Sequence, residues 1–373
     1  MEIYVYDREM TLQGVIDEIS SLIWTRRYWA CGEFKLLVPF TERHVALLLK
    51  NRLIMKRGDD EAGEIKYVNI KKNSQGLEEI EVQGKFVTGW IGKRVVRRQI
   101  VTTDNTQNIL TRIVSENITN PSVAARIIPN VVIAAMEDLG SGTIEYASEY
   151  YMNALLACET AAKAAKLGFQ ITTDVKTGLH TFRVYAGRDL TSDNNDGNPP
   201  CTFSQEFDNI LEQEYTNSVE NLKTTAYVGG EELQDTPRKV AEVGGSTAGL
   251  DREEVFVNAT DITQTYKDNN DNDVTMPDAQ YIEMLEQRGA SELGGMAETL
   301  AFSSKVNTHS NLQYRTDYDL GDRVTCINKR WGIKINVRIT EISEVYEQNI
   351  PEIDITFGES LPALIDKIRQ IAK

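Results

Sequence analysis

The chain has 373 residues, 41% of them hydrophobic and 26% charged, and its 40 basic against 56 acidic side chains leave a formal charge of −16. That length predicts two to four domains at about 100–200 residues each. The acidic balance argues against a protein that grips nucleic-acid phosphates, and no apolar run approaches the ~18 residues of a membrane helix.

The first hundred residues read as β. Ile3 and Val5 alternate with Tyr4 and Tyr6, and Asp7-Arg8-Glu9 then turns the chain. SLIWTRRYW and EFKLLV form a two-strand pattern, broken at Ala30-Cys31-Gly32 and closed by Pro39. Thr41 is placed to cap a short helix with Val45, Leu48 and Leu49 on one face. Strands are expected at Leu53–Met55, Glu64–Ile70, Glu78–Gln83 and Lys85–Trp90, with turns at Gly58-Asp59-Asp60 and Asn73-Ser74-Gln75-Gly76. Short strands around one helix predict a small barrel over 1–98.

Composition then shifts. Asp104 or Thr106 caps a helix with an Ile109, Ile113, Val114 stripe. The alanine-rich Tyr151–Leu167 is the clearest helix, with Gly168 as its left-handed stop. A hairpin follows, Phe169–Thr173 and Thr181–Tyr185, turned at Lys176-Thr177-Gly178. Residues 99–189 are expected to be an α/β insertion. The polar stretch TSDNNDGNPP opens a second β domain over 190–358, with strands at Cys201–Phe207, Ser218–Val228, Glu254–Val257 and Thr299–Val306. Its glycine-rich stretch 229–252 reads as a long loop, as does KDNNDND at 267–273, and Pro277 begins a helix through Arg288.

The C-terminal meander is the strongest strand signal. Ile333, Ile335, Val337 and Ile339 alternate with Lys334, Asn336, Arg338 and Thr340, and Ile353, Ile355 and Phe357 repeat the pattern around Asp354 and Thr356. Leu320-Gly321-Asp322 and Trp331-Gly332 supply turns. Ser360 caps a last amphipathic helix over 359–373. The predicted fold class is α+β, mainly β: two small β-barrels, an α/β insertion between them and a C-terminal helix.

Chemistry is sparse. Cys31, Cys158, Cys201 and Cys326 form no close pair, so buried thiols in a reducing compartment are expected. Gly244-Gly245-Ser246-Thr247-Ala248-Gly249 lacks the lysine and following helix of a phosphate loop. Asp268, Asn270 and Asn272 have calcium-loop spacing, but Asp273 and Ala279 stand where glycine and glutamate are needed. His44, His180 and His309 stand alone, and the adjacent pairs Glu78-Glu79 and Glu253-Glu254 point to opposite faces of a strand. No catalytic residue, cofactor site or metal site is therefore expected. Lys93, Arg94, Arg97 and Arg98, near Trp90, form a local basic run that could dock an acidic partner, including another copy of the chain.

With those residues in view, the chain resembles the tail-hub, or baseplate-hub, family of long-tailed siphophages, prophages and phage-derived particles. The likeness rests on the opening EIYVYD…GVIDEISSLIWTRRYWACGEFKL and the closing YDLGDRVTCINKRWGIKINVRITEISEVYE…IDITFG with SLPALIDKI. The resemblance implies a homotrimer presenting a pseudo-hexameric ring that continues the tail tube. It implies contact with tail-tube or distal-tail rings and with spike, fibre or tape-measure proteins, and DNA only as passing cargo. It implies a place at the virion tail tip after assembly in the bacterial cytoplasm. Relatives often extend into a peptidoglycan hydrolase. This chain stops at Lys373, so a structural hub alone is expected. MEIYVYDREM has no basic n-region or apolar h-region, so no secretory leader is expected either. The alternative from another class is a β-rich surface module that binds carbohydrate through Trp24, Tyr28 and Trp29; a hydrolase with an unrecognised site is a third reading.

Overall fold

The computed structural model describes residues 1–358 except 73–75, 141, 149–150, 233–235, 268–271 and 348–349. The expected helix over 359–373 lies outside the described residues, as do parts of the expected 73–76 turn and 267–273 loop.

The alternating stretches form strands where the spacing predicts. β1 (Ile3–Tyr6), β2 (Leu12–Ile16), β3 (Ser21–Arg27) and β4 (Glu33–Pro39) are followed by helix α1 (Glu42–Leu47), then β5 (Leu53–Lys56), β6 (Ala62–Lys72) and β7 (Glu78–Phe86). Thr41 caps α1 by accepting from the His44 amide at 3.0 Å. Of the expected α1 face Leu48 is buried and Val45 half-buried, but Leu49 is exposed, and His44 and Leu47 turn inward instead. The separate strand expected at Lys85–Trp90 is absent, because β7 runs unbroken to Phe86 and the chain then coils into a 3-10 turn over Val87–Lys93.

The insertion contains β8 (Val101–Asn105), α2 (Thr106–Val114), β9 (Val131–Ile133), β10 (Thr143–Ala147), α3 (Ala154–Ala165), β11 (Gly168–Asp174) and β12 (Leu179–Tyr185). Asn105, rather than Asp104 or Thr106, caps α2. The left-handed residue that ends α3 is Lys166, not Gly168. Gly168 opens β11 instead and is small because the ring of Tyr28 lies against it.

The last half holds β13 (Thr202–Ser204), β14 (Ile210–Ser218), β15 (Thr225–Gly229), β16 (Val240–Gly244), β17 (Glu254–Asn258), β18 (Thr265–Lys267), β19 (Asp273–Thr275), α4 (Asp278–Gly295), β20 (Thr299–Val306), β21 (Arg323–Asn328), β22 (Ile333–Glu347) and β23 (Ile350–Gly358). The strand expected over Ser218–Val228 is two strands, and α4 runs past Arg288 to Gly295. The loop reading of 229–252 is corrected too: β16 pairs with β15, and Arg238 ties the approach down by donating to the Gly229 and Gly230 carbonyls at 2.7 Å.

One strand joins the two ends of the chain. Before Thr340, β22 pairs with β21; after it, β22 lies between β23 and β3. Thr340 sits in a bulge where the register slips between Ile339 and Glu341. The result is a single 13-stranded sheet running from β14 at one edge to β2 at the other. The expectation of two small closed or nearly closed β-barrels is corrected in one respect, for among the described residues neither closes. The physical reason is the sharing itself: the edge of β22 that could have completed its own module is spent on β3. A seam between β13 and β14 is bridged by Asn209, which accepts from the Ser204 amide at 2.8 Å and donates to the Thr202 carbonyl at 2.9 Å.

Three apolar cores follow. The first joins β1–β7 to the insertion, the second fills the module around β20–β23, and a third lies between α4 and the β16-β15-β17 layer.

Candidate functional site

All four cysteines are buried and unbridged, and burial pushes the Cys31 and Cys201 thiols up to about 12. No group of three or more His, Cys, Asp or Glu side chains is placed to hold a metal among the described residues. His44 contacts the Pro39 carbonyl through Nδ1, and His180 contacts the Thr173 hydroxyl with its ring edge against Trp90. Burial pulls the His180 imidazole down to about 4. The 244–249 loop is the turn leaving β16, and Arg252 fastens it by bonding Glu242, Glu254 and the Tyr227 hydroxyl. Of the calcium-like set, Asp268 and Asn270 lie outside the described residues.

The aromatic platform is not on the surface. Trp24 and Tyr28 are fully buried and Trp29 is partly buried. Trp24 stacks with Phe34 and Phe86 in the first core. Tyr28 is the pivot of the molecule. Its amide donates to Thr340 on β22 at 2.9 Å, its carbonyl accepts from Phe169 of the insertion, and its hydroxyl reaches the Lys166 and Tyr185 carbonyls. Gly168 and Gly321 leave the room for its ring, where any Cβ would overlap it.

The basic run separates into two roles. Lys93 is engaged inside the chain. Its ammonium lies 2.9 Å from Glu64 and 4.8 Å from the centre of the Trp90 ring. Glu64 is buried and also receives Arg8, Lys66 and the Trp90 indole N–H. Burial pushes its carboxyl up, but hydrogen bonds from Lys66, Lys93 and Arg8 outweigh this and bring it down to about 2. Arg94 donates to the Arg126 carbonyl, while Arg126 donates to Asn117 and the Val95 carbonyl. Burial lowers the Arg126 guanidinium, and the neighbouring Arg94 and Arg97 charges lower it further. Arg97 and Arg98 are exposed beside them.

The densest constellation was not singled out from the sequence. Arg26 on β3 donates to Glu61 at 2.7 Å, and to Asp319 and the Tyr314 hydroxyl at 2.9 Å. Lys56 bonds Glu344 of β22 and lies 3.4 Å from Asp59; Arg315 reaches Asp59 at 2.6 Å. These contacts bind the β5–β6 turn and β3 of the first module to β22 and the 307–322 segment of the second. Their signal was present in the strand period. Arg26 falls on the same face as Trp24 and Tyr28, and Glu344 on the same face as Ile342.

The profile of the siphovirus ReqiPepy6 Gp37-like protein family matches residues 2–359. This chain belongs to that family. The Gp37-like chain is also similar to solved structures. The tail protein from Neisseria meningitidis MC58 aligns at TM-score 0.55 and 13% identity, with 96% of each chain covered. The prophage MuSo2 43 kDa tail protein from Shewanella oneidensis aligns at 0.57 and 13%, covering 96% of this chain and 98% of that one. Prophage tail protein gp18 from Listeria monocytogenes EGD-e aligns at 0.52 and 10%, covering 100% and 98%. At these identities the likeness shows a shared fold. No curated protein matches the Gp37-like chain, and no helix among its described residues is long and apolar enough to cross a membrane.

Proposed function

We propose that this phage tail protein is the structural hub of the tail tip, a homotrimer whose ring continues the tail tube and joins it to the spike, fibre or other receptor-binding parts, with a channel through which DNA passes. The observation that carries the reading is β22. By pairing with β3 it fixes two β-modules of one chain in a single sheet, so three copies offer six sheet-built units to a six-fold tube. The role is scaffolding rather than catalysis. The working division is 1–98, the insertion 99–189 and 190–358, followed by 359–373, with the β15–α4 unit as an appendage of the second module. Arg94, Arg97 and Arg98, joined by Arg126, form the docking patch for an acidic neighbour, while Lys93 serves to hold Glu64. An acidic chain suits a lumen from which DNA releases few counterions. The test is the copy number of this chain in an imaged tail tip: three copies with threefold symmetry are expected, and six copies or one would overturn the reading.

A further inference from the structure

The arginine patch has no counterpart inside its own chain. Arg94 and Arg126 spend their guanidinium hydrogens on the Lys93, Val95 and Arg126 carbonyls and on the Asn117 amide. Among the described residues no carboxylate pairs with either of them or with the exposed Arg97. Three like charges are thus gathered at one place on a chain of formal charge −16. Apolar surface lies between them. Val95 and Ile127, each next in sequence to one of the arginines, are 40% and 44% exposed, and Arg126 reaches across to the Val95 carbonyl. Arginine beside apolar surface suits a protein interface, where most other charged residues are depleted.

Elsewhere the chain presents a matching piece. Leu250 is 100% exposed, so its side chain packs against nothing in its own molecule. A lone surface leucine means little, but the loop around this one is fastened so as to hold it out. Its turn, Gly249–Asp251, opens on a glycine with a left-handed φ of 64°. Behind the turn Arg252 donates to Glu242, Glu254, the Tyr227 hydroxyl and the Gly245 and Thr247 carbonyls. Thr224 Oγ1 accepts from the Glu253 amide at 3.0 Å and from the Thr247 hydroxyl at 2.9 Å. Asp251 is exposed beside Leu250, with no cation partner among the described residues. The tip is an aliphatic side chain next to a bare carboxylate.

We infer that Leu250 and Asp251 of one copy seat on the Arg94, Arg97 and Arg126 patch of the next copy, with Leu250 against Val95 and Ile127 and the Asp251 carboxylate among the guanidinium groups. The inference rests on the reading of that patch as a docking surface and names its occupant. Knob and patch are different surfaces, so the contact is heterologous: each copy gives on one side and receives on the other. That is the kind of contact whose repetition closes a ring. The loop is held in place before contact, so docking has little more than exposed side chains to order.

All four native cysteines are buried, so introduced thiols can be read over little background. The test uses assembled tails carrying Leu250→Cys, Ile127→Cys or both, treated with a short bismaleimide and run on a denaturing gel. The double variant should give cross-linked chains, and each single variant should stay monomeric, because a heterologous contact sets no residue against its own copy. A charge swap gives a second reading. Asp251→Arg should cut incorporation of the chain into tails about tenfold or more, and adding Arg97→Glu should restore it. Both positions are exposed, and an unchanged soluble yield of each variant checks folding. No cross-link in the double variant, a cross-link in either single variant, or one from Leu250→Cys to a different tail protein overturns the inference. So does an Asp251→Arg chain that incorporates normally or is not rescued. Copy number is read separately: three copies in an imaged tail tip without the cross-link would remove this contact and leave the hub reading standing.

Discussion

The two halves of β22 meet the interior in opposite ways. Before the Thr340 bulge, Val337 and Ile339 enter a core with Val324, Phe302 and Phe357. After it, the shifted register sends Ile342 inward and then Glu344, which meets Lys56 under the Tyr346 ring. The first half is held by area removed from water, a non-directional force that accepts many apolar side chains. The second is held by matched charges, which add little net stability but penalise a missing partner heavily. One strand thus supplies adhesion at one end and selectivity at the other. The modules are not merely stuck together but keyed.

The largest expected effect breaks the adhesive half. Ile339→Asp places an unpaired charge in a core position and should cost several kcal/mol, enough to remove the soluble protein on expression; a soluble fraction equal to wild type would show the register is wrong. Next comes the keyed half. Glu344→Ala leaves Lys56 only the Asp59 carboxylate, which it shares with Arg315, and should cost about 3 kcal/mol in chemical denaturation, the low end for a broken buried pair. The paired change Glu344→Leu with Lys56→Met should recover most of that loss, and a single variant within 1 kcal/mol of wild type would mean the charges do not key the joint.

A third prediction asks whether a paired charge inside the first module behaves as the junction does. The Glu64 carboxyl is held down to about 2 from 4.5, so its stabilisation is present above 4.5 and drains away as pH falls through 2. Glu64→Gln should flatten the acid side of the stability curve in that window. Equal slopes for variant and wild type would show that Arg8, Lys66 and Lys93 do not act through it. The smallest effect is Lys334→Asp, on the exposed side of β22, which should stay within about 0.5 kcal/mol. A larger loss in assembled tails than in the isolated chain would mark that face as an interface.

What could be read in advance followed the range of the forces. The Ile333–Ile339 alternation is local, and a period of two is visible to anyone counting. The bulge at Thr340 is not, since threonine is at home in any strand and only the partner β23 shows the slip. Arg26 was visibly on the buried period of β3, but its partners Glu61 and Asp319 stand 35 and 293 positions away. Without them a charged residue on an apolar face reads as a fault in the pattern. The same distance hid the fate of Lys93, which looked free beside three arginines because Glu64 belongs to another strand. Val240–Gly244 was lost among glycines because its strand character comes from pairing with Thr225–Gly229 rather than from its own side chains.

The sharing of β22 also sets how the molecule comes apart. A strand hydrogen-bonded to β21, β23 and β3 cannot fray from one module without stripping an edge from the other. The two modules therefore open as one cooperative unit, with amides along Glu341–Glu347 exchanging only in the global event. The β15–α4 layer has its own core and its own sheet, so it is free to open first.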